Sequence, residues 1–157
     1  MFPIQKIEVV PLAEIPSTDQ PEKHRPVVLV VDDERVIADT LAAILSISGF
    51  TPLVAYDGKS AMEIARVIPP ELLISEVIMP GMSGIELAIA LVKSIPDCKV
   101  LFISGQAFTA DLLAKARAMG HHFSALTKPI HPTDLLANIS NCLQLSESAT
   151  SPLPLRD

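Results

Sequence analysis

Short apolar runs alternate with amphipathic stretches along residues 27–145. Most of the runs consist of Val, Ile and Leu, as expected of strands that are covered on both faces of a sheet. The stretches between them carry apolar residues at helical spacing and end near a glycine or a proline. The pattern predicts five strands, at 27–31, 51–55, 72–76, 99–104 and 123–127. Because a helix follows each strand, the chain repeats a β-α unit five times.

Single residues predict where several of these elements begin, end or lie. Thr109 is placed to cap a fourth helix that runs to Met119, and Gly120 is placed to end it. Thr133 is the predicted N-cap of the last helix. Pro52 cannot donate a hydrogen bond within a sheet, so the second strand is expected at a sheet edge.

The repeated β-α unit predicts an α/β fold. Parallel strands joined by helices form a doubly wound sheet with right-handed crossovers and helices on both faces. With the second strand at one edge and the polar fifth strand at the other, we predict the flavodoxin-like order 2-1-3-4-5. The predicted domain covers residues 27–145, residues 1–26 form a poorly ordered, proline-containing arm, and residues 146–157 form a C-terminal tail.

Composition excludes several classes of function. The chain has 157 residues, of which 49% are hydrophobic, so it can build a real core. Its net charge is −6 and it has no Lys/Arg cluster, which argues against binding to nucleic acid. No apolar stretch is long enough for a membrane span and no secretory signal is evident, so we expect a cytoplasmic protein with reduced thiols at Cys98 and Cys142.

Polar residues follow the predicted strands at the switch point of the sheet. Asp32 and Asp33 follow the first strand and Glu76 ends the third, so the three carboxylates should converge. Such a cluster needs positive charge. Lys128, after the fifth strand, supplies one charge, and a divalent cation that prefers oxygen ligands would match the remaining two. Ser104 ends the fourth strand and adds a hydroxyl, which completes a set suited to phosphoryl chemistry.

Four short motifs lie in a fixed order along the chain: Val31-Asp32-Asp33-Glu34, Met79-Pro80-Gly81-Met82-Ser83-Gly84, Ser104-Gly105 and Thr127-Lys128-Pro129. With these motifs, residues 27 to about 145 resemble a response-regulator receiver domain, the phosphorylatable half of bacterial two-component signalling. The resemblance implies that Asp32, Asp33 and the backbone carbonyl of Ile78 bind Mg²⁺. It also implies that Ser104 is a hydroxyl switch residue and that Lys128, often followed by a cis proline, contacts the phosphate.

Two positions depart from the pattern that the resemblance implies. Glu76 stands where the family has its phosphoacceptor aspartate, and Ala125 stands where it has an aromatic switch residue, with Phe123 two residues earlier as a substitute of uncertain register. The extra methylene of Glu76 moves the carboxylate by about one C–C bond, and reaction geometry is sensitive to errors of about 1 Å. We therefore expect severely impaired phosphorylation, and weakened Mg²⁺ binding because Glu76 joins and crowds the predicted ligands.

These residues predict a stand-alone, atypical receiver that acts through protein–protein interaction and is not an enzyme. Glu76 either imitates the phosphorylated state or leaves a scaffold that only binds partners, and both interpretations stay open. One alternative is a receiver that still accepts a phosphoryl group from a histidine kinase. Another is a flavodoxin-like small-molecule binder, although the loops after the first and third strands lack a phosphate-cradling run. The expected partners are a histidine kinase, a downstream target, or a second copy bound through the fourth helix, fifth strand and fifth helix.

Overall fold

The structure is a computed structural model that describes residues 24–105 and 109–147 of the chain. Strands and helices alternate along these ranges. The strands are β1 (Val27–Val31), β2 (Thr51–Ala55), β3 (Leu72–Glu76), β4 (Lys99–Ser104) and β5 (Ser124–Thr127). The helices are α1 (Arg35–Ile47), α2 (Gly58–Val67), α3 (Gly84–Ser94), α4 (Thr109–Ala118) and α5 (Pro132–Glu147).

The five strands form one parallel sheet in the order β2-β1-β3-β4-β5. This confirms the predicted fold class and strand order. Pro52 lies in β2 at the sheet edge, where its missing N–H removes no central hydrogen bond. In register, Glu76 lies beside Ile103 and Ser104 lies beside Thr127. The carboxyl ends of β3, β4 and β5 therefore meet at one edge of the sheet.

Both faces of the sheet are covered by helices, as the continuous apolar strands require. Helices α1 and α5 pack on one face, where Leu45 and Ile139 are fully buried. Helices α2, α3 and α4 cover the other face, around Leu91 and Phe102. Within the described residues no helix is long and apolar enough to cross a membrane.

The start of α5 differs from the prediction. The helix begins at Pro132, so Thr133 lies inside its first turn and is not the N-cap. The backbone N–H of Leu135 donates to the His131 carbonyl at 2.9 Å, which closes the first helical turn one residue before the proline. Proline is favoured at the first helical position because its missing N–H would be unpaired there anyway. The helix also continues to Glu147, two residues past the predicted end of the domain.

Smaller differences occur on the other side of β5. Helix α4 begins at Thr109, whose predicted capping side chain lies outside the described part, and it ends at Ala118. Gly120 follows with φ 94°, a left-handed conformation that ends helices and suits glycine. Strand β5 begins at Ser124, so Phe123 precedes the strand.

Most of the predicted arm and tail, residues 1–23 and 148–157, lies outside the described residues. The last residues of the arm contact the domain. Arg25 donates to the carbonyls of Ser46 and Phe50 at 2.9 and 2.8 Å, at the end of α1 and just before β2. His24 pairs with Glu71 at 2.8 Å, just before β3. Residues 24–25 thus contact the residues that lead into the amino ends of β2 and β3, whereas the predicted site lies at the carboxyl ends of the strands.

Candidate functional site

A buried cluster of polar side chains lies at the carboxyl edge of the sheet. Asp32 directly follows β1, Glu76 ends β3, and Ser104 ends β4. Their exposed fractions are only 0%, 5% and 4%. Lys128 follows β5 and reaches into the same place, with 17% of its side chain exposed. The structure thus brings Asp32, Glu76 and Lys128 together, as the strand order predicted.

Lys128 is the centre of this cluster. Its Nζ lies 2.6 Å from Glu76 Oε1, 3.1 Å from Asp32 Oδ2 and 3.2 Å from Glu34 Oε1. Burial disfavours the charged ammonium, but the hydrogen bond to Glu76 and the attraction of the carboxylates outweigh it. The pKa of Lys128 is therefore raised above its ordinary value of 10.5. The Lys128–Pro129 peptide bond is cis, as the resemblance implied.

Asp32 is held by a hydrogen bond on one oxygen and an ion pair on the other. Its Oδ1 accepts a hydrogen bond from the Glu34 backbone N–H at 2.9 Å. Its Oδ2 is buried and lies 3.1 Å from Lys128 Nζ. Burial raises the pKa of Asp32, and the Glu34 N–H and Lys128 offset this effect only in part.

Glu76 has both carboxylate oxygens engaged. Oε1 contacts Lys128, while Oε2 accepts hydrogen bonds from the backbone N–H groups of Val77 at 2.8 Å and Ile78 at 3.2 Å. The side chain therefore folds back over the start of its own loop. Charge-assisted contacts of this kind hold a buried carboxylate firmly in one conformation.

The loop after β3 fixes the position of Glu76. Ser83 caps α3 in a capping box, in which its hydroxyl accepts from the Glu86 N–H and the Glu86 carboxylate accepts from the Ser83 N–H. Gly84 begins the helix directly against the end of β3, where a Cβ atom would overlap the Glu76 carbonyl oxygen. The motif thus requires glycine at this position because the helix approaches the strand too closely for a side chain.

Glu34 contacts Lys128, which the sequence did not predict. It is the N-cap of α1, but its side chain makes no capping hydrogen bond and turns to Lys128 instead. Its side chain is 63% exposed, so this third ion pair lies at the rim of the site. The run of three acids after β1 was the only signal in the sequence, and it does not indicate which of them face the lysine.

Several residues that were predicted to bind Mg²⁺ are exposed or engaged in other contacts. Asp33 is exposed, and both oxygens of Glu76 are already engaged. Across residues 24–105 and 109–147, no group of three or more His, Cys, Asp or Glu side chains is arranged to hold a metal ion. The backbone N–H of Ile78, the residue whose carbonyl was the fourth predicted ligand, donates to Glu76 Oε2 at 3.2 Å. In this arrangement the residues do not fit a divalent cation.

The aromatic substitute lies far from the lysine. The Phe123 ring packs edge-on against Phe102, with centroids 5.2 Å apart, and stacks on His121 at 5.7 Å. It precedes β5, whereas Lys128 follows it. Ala125 pairs with Phe102 in register and is exposed. Ala125 thus leaves the family's aromatic position exposed. Phe123 packs at the amino end of β5, whereas Lys128 follows its carboxyl end.

Comparison with known proteins identifies the family. The model of the response regulator receiver domain matches residues 28–140. The transcriptional regulatory protein CreB of Escherichia coli is 30% identical over 132 residues, which cover 84% of this chain and 57% of that protein. The response regulator MprA of Mycobacterium ulcerans is 30% identical over 117 residues, which cover 74% of this chain and 50% of that protein. The chain spans about half the length of the curated relatives it matches.

Solved structures agree in fold. A two-component transcriptional regulator AraC from Clostridium phytofermentans has a TM-score of 0.67 and 32% identity, covering 80% of this chain and 99% of its own. The signal receiver domain of an HD domain-containing protein from Pseudomonas fluorescens has a TM-score of 0.73 and 28% identity, with the same coverages. Because the family model covers most of the chain and the sheet has the receiver topology, this chain belongs to the response regulator receiver domain family of two-component signalling.

Proposed function

We propose that this receiver signals through protein partners without being phosphorylated at its acceptor position, because Glu76 imitates the phosphorylated state. The observation that carries the proposal is the 2.6 Å contact between Glu76 Oε1 and Lys128 Nζ at a site that is almost fully buried. In the family, this lysine contacts the phosphoryl group. Here a carboxylate of the protein itself makes that contact.

The hydrogen bonds of Glu76 add to this argument. Its second oxygen accepts from two consecutive backbone N–H groups, those of Val77 and Ile78. An anion that is held by a lysine and two amides is bound as a phosphoryl oxygen would be. The extra methylene of glutamate, which misplaces the carboxylate for accepting a phosphoryl group, lets it extend towards Lys128.

The same contacts argue against phosphorylation of Glu76. A carboxylate attacks phosphorus with an oxygen lone pair that must be free and in line with the leaving group. Glu76 would have to give up Lys128 or both amide donors before it could react. The alternative of a phosphorylation-competent receiver therefore has less support. The predicted stand-alone state, histidine kinase partner and homodimer stay predictions.

Amide hydrogen exchange tests the proposal, with Glu76→Asp as a switchable reference. The variant restores the family's acceptor and can be compared before and after treatment with acetyl phosphate and Mg²⁺. We expect the exchange of untreated wild type across β4, α4 and β5 to match that of the phosphorylated variant. The isosteric Glu76→Gln, which removes only the negative charge, should move towards the unphosphorylated variant.

The opposite pattern supports the scaffold interpretation. If wild type and Glu76→Gln both match the unphosphorylated Glu76→Asp variant, the Glu76–Lys128 contact does not imitate phosphorylation, and the proposal fails.

A further inference from the structure

We infer that the Lys128 ammonium takes the place of the divalent cation, so that the buried carboxylates of this receiver are held by a cation of the protein itself and do not take up Mg²⁺. The inference rests on the same Glu76–Lys128 contact as the proposed function. It is tested by metal binding and not by conformation, so each of the two can fail alone.

The oxygen ligands that Mg²⁺ needs are already engaged at Glu76. This ion demands near-octahedral oxygen coordination at about 2.0–2.1 Å and is usually held by one or two carboxylates. Glu76 is the acid nearest the centre of the site, but its two oxygens serve Lys128, Val77 and Ile78. To bind a metal, Glu76 would have to offer it an oxygen that already accepts from Lys128 or from the two amides.

Asp32 lies close to the Lys128 ammonium. Its Oδ1 is occupied by the Glu34 N–H, which leaves Oδ2 as the atom for a metal. Among the described residues the contact of this buried oxygen is the ion pair with Lys128, whose Nζ lies 3.1 Å from it. A dication bound to Oδ2 would lie within a few ångströms of the ammonium. Repulsion between them is strong at a buried site, because little water is present to screen it.

The remaining acids lie at the surface or at the rim of the site. Asp33, next along the chain, is exposed, and Glu34 is a rim residue that already faces Lys128. One ammonium therefore faces three carboxylates: two are buried, and the third is exposed. The acids that face the site thus converge on a cation that the protein itself supplies.

Titration of the full chain with MgCl₂ tests this inference, by calorimetry and by the shift in melting temperature, against NaCl at matched ionic strength. We expect wild type to respond no more to MgCl₂ than to NaCl. Glu76→Asp shortens the carboxylate and loosens its hold on Lys128, and Lys128→Met removes the ammonium but keeps the apolar stem. We expect both variants to bind Mg²⁺ with dissociation constants at least about tenfold lower than wild type, or about 1.4 kcal/mol.

Two results would overturn the inference. Saturable binding by wild type, as tight as that of Glu76→Asp, would show that Lys128 does not exclude the metal. Absence of binding in all three proteins would show that the ammonium does not stand in for a cation that this site otherwise takes. The Glu76→Asp arm keeps the test decisive if Lys128→Met fails to fold.

Discussion

Replacement of Lys128 by methionine should destabilise the domain strongly. The change keeps most of the apolar stem but removes the one positive charge that faces Asp32 and Glu76 among the described residues. These carboxylates are 0% and 5% exposed, so water cannot replace the lost ammonium without opening the site. Breaking a buried ion pair by removing one partner costs about 3–5 kcal/mol. Glu34 adds little to this loss, because its side chain is 63% exposed and exposed pairs contribute about 0–1 kcal/mol.

Urea denaturation at about pH 7 measures this loss as a lower midpoint at unchanged slope. For a domain whose total stability is about 5–15 kcal/mol, a loss of this size is readily measured. Adding Glu76→Gln to Lys128→Met removes one of the uncompensated charges and should recover part of the stability. A loss of less than about 1 kcal/mol, the size of an exposed pair, would refute the reasoning.

The loss should also depend on pH. Without Lys128, the pKa of Asp32 in the folded state rises further, because burial is then opposed only by the Glu34 N–H. A carboxyl whose folded-state pKa is raised binds its proton more readily in the folded protein, so stability increases as pH falls. The deficit of Lys128→Met relative to wild type should therefore shrink as pH falls through the folded-state pKa of Asp32 towards its ordinary value of 3.8. A deficit that grows on acidification would contradict this account.

Three further predictions concern the wider domain. Gly84→Ala places a Cβ against the Glu76 carbonyl and should cost about 1–3 kcal/mol in urea denaturation. Gly105→Ala, whose Cβ meets only ordinary contacts among the described residues, should be nearly neutral. Asp57 caps α2, so Asp57→Ala should cost about 1 kcal/mol and Asp57→Asn less. Hydrogen bonds from the first turn of α2 lower the pKa of Asp57. The cap therefore stabilises the folded protein fully above pH 3.8, and this stabilisation is lost as pH falls through the folded-state pKa. The pKa of Lys128 is raised, so its contribution to folding stability is present below pH 10.5 and is lost as pH rises through the folded-state value. The alkaline denaturation curve of Lys128→Met should lack this loss.

Most of the fold could be predicted from the sequence because buried parallel strands are continuous apolar runs. The bounds of β1, β2, β3 and β4 match the prediction, and Pro52 correctly marked an edge. The start of α5 was wrong because two start signals are adjacent, Pro132 and Thr133. The choice between them depends on which carbonyl accepts the first helical hydrogen bond, and periodicity carries no information about that.

The site was predictable in position but not in conformation. Asp32, Glu76 and Lys128 converge because each lies at a strand end on one edge of a parallel sheet. That Glu76 turns back to the backbone N–H groups of its own loop, and that Asp33 faces solvent, depends on side-chain rotamers and local hydrogen bonds. Adjacent residues after a strand point in different directions, so a run of acids does not show which of them enter the site.

The central claim is that Glu76 has replaced phosphorylation at this site. Intact-mass analysis after incubation with acetyl phosphate and Mg²⁺ tests it most directly, with Glu76→Asp as the matched positive control. We predict that the variant gains the mass of one phosphoryl group and that wild type gains none. Addition of a phosphoryl group to wild type at Glu76, at a rate comparable with that of the variant, would contradict the account.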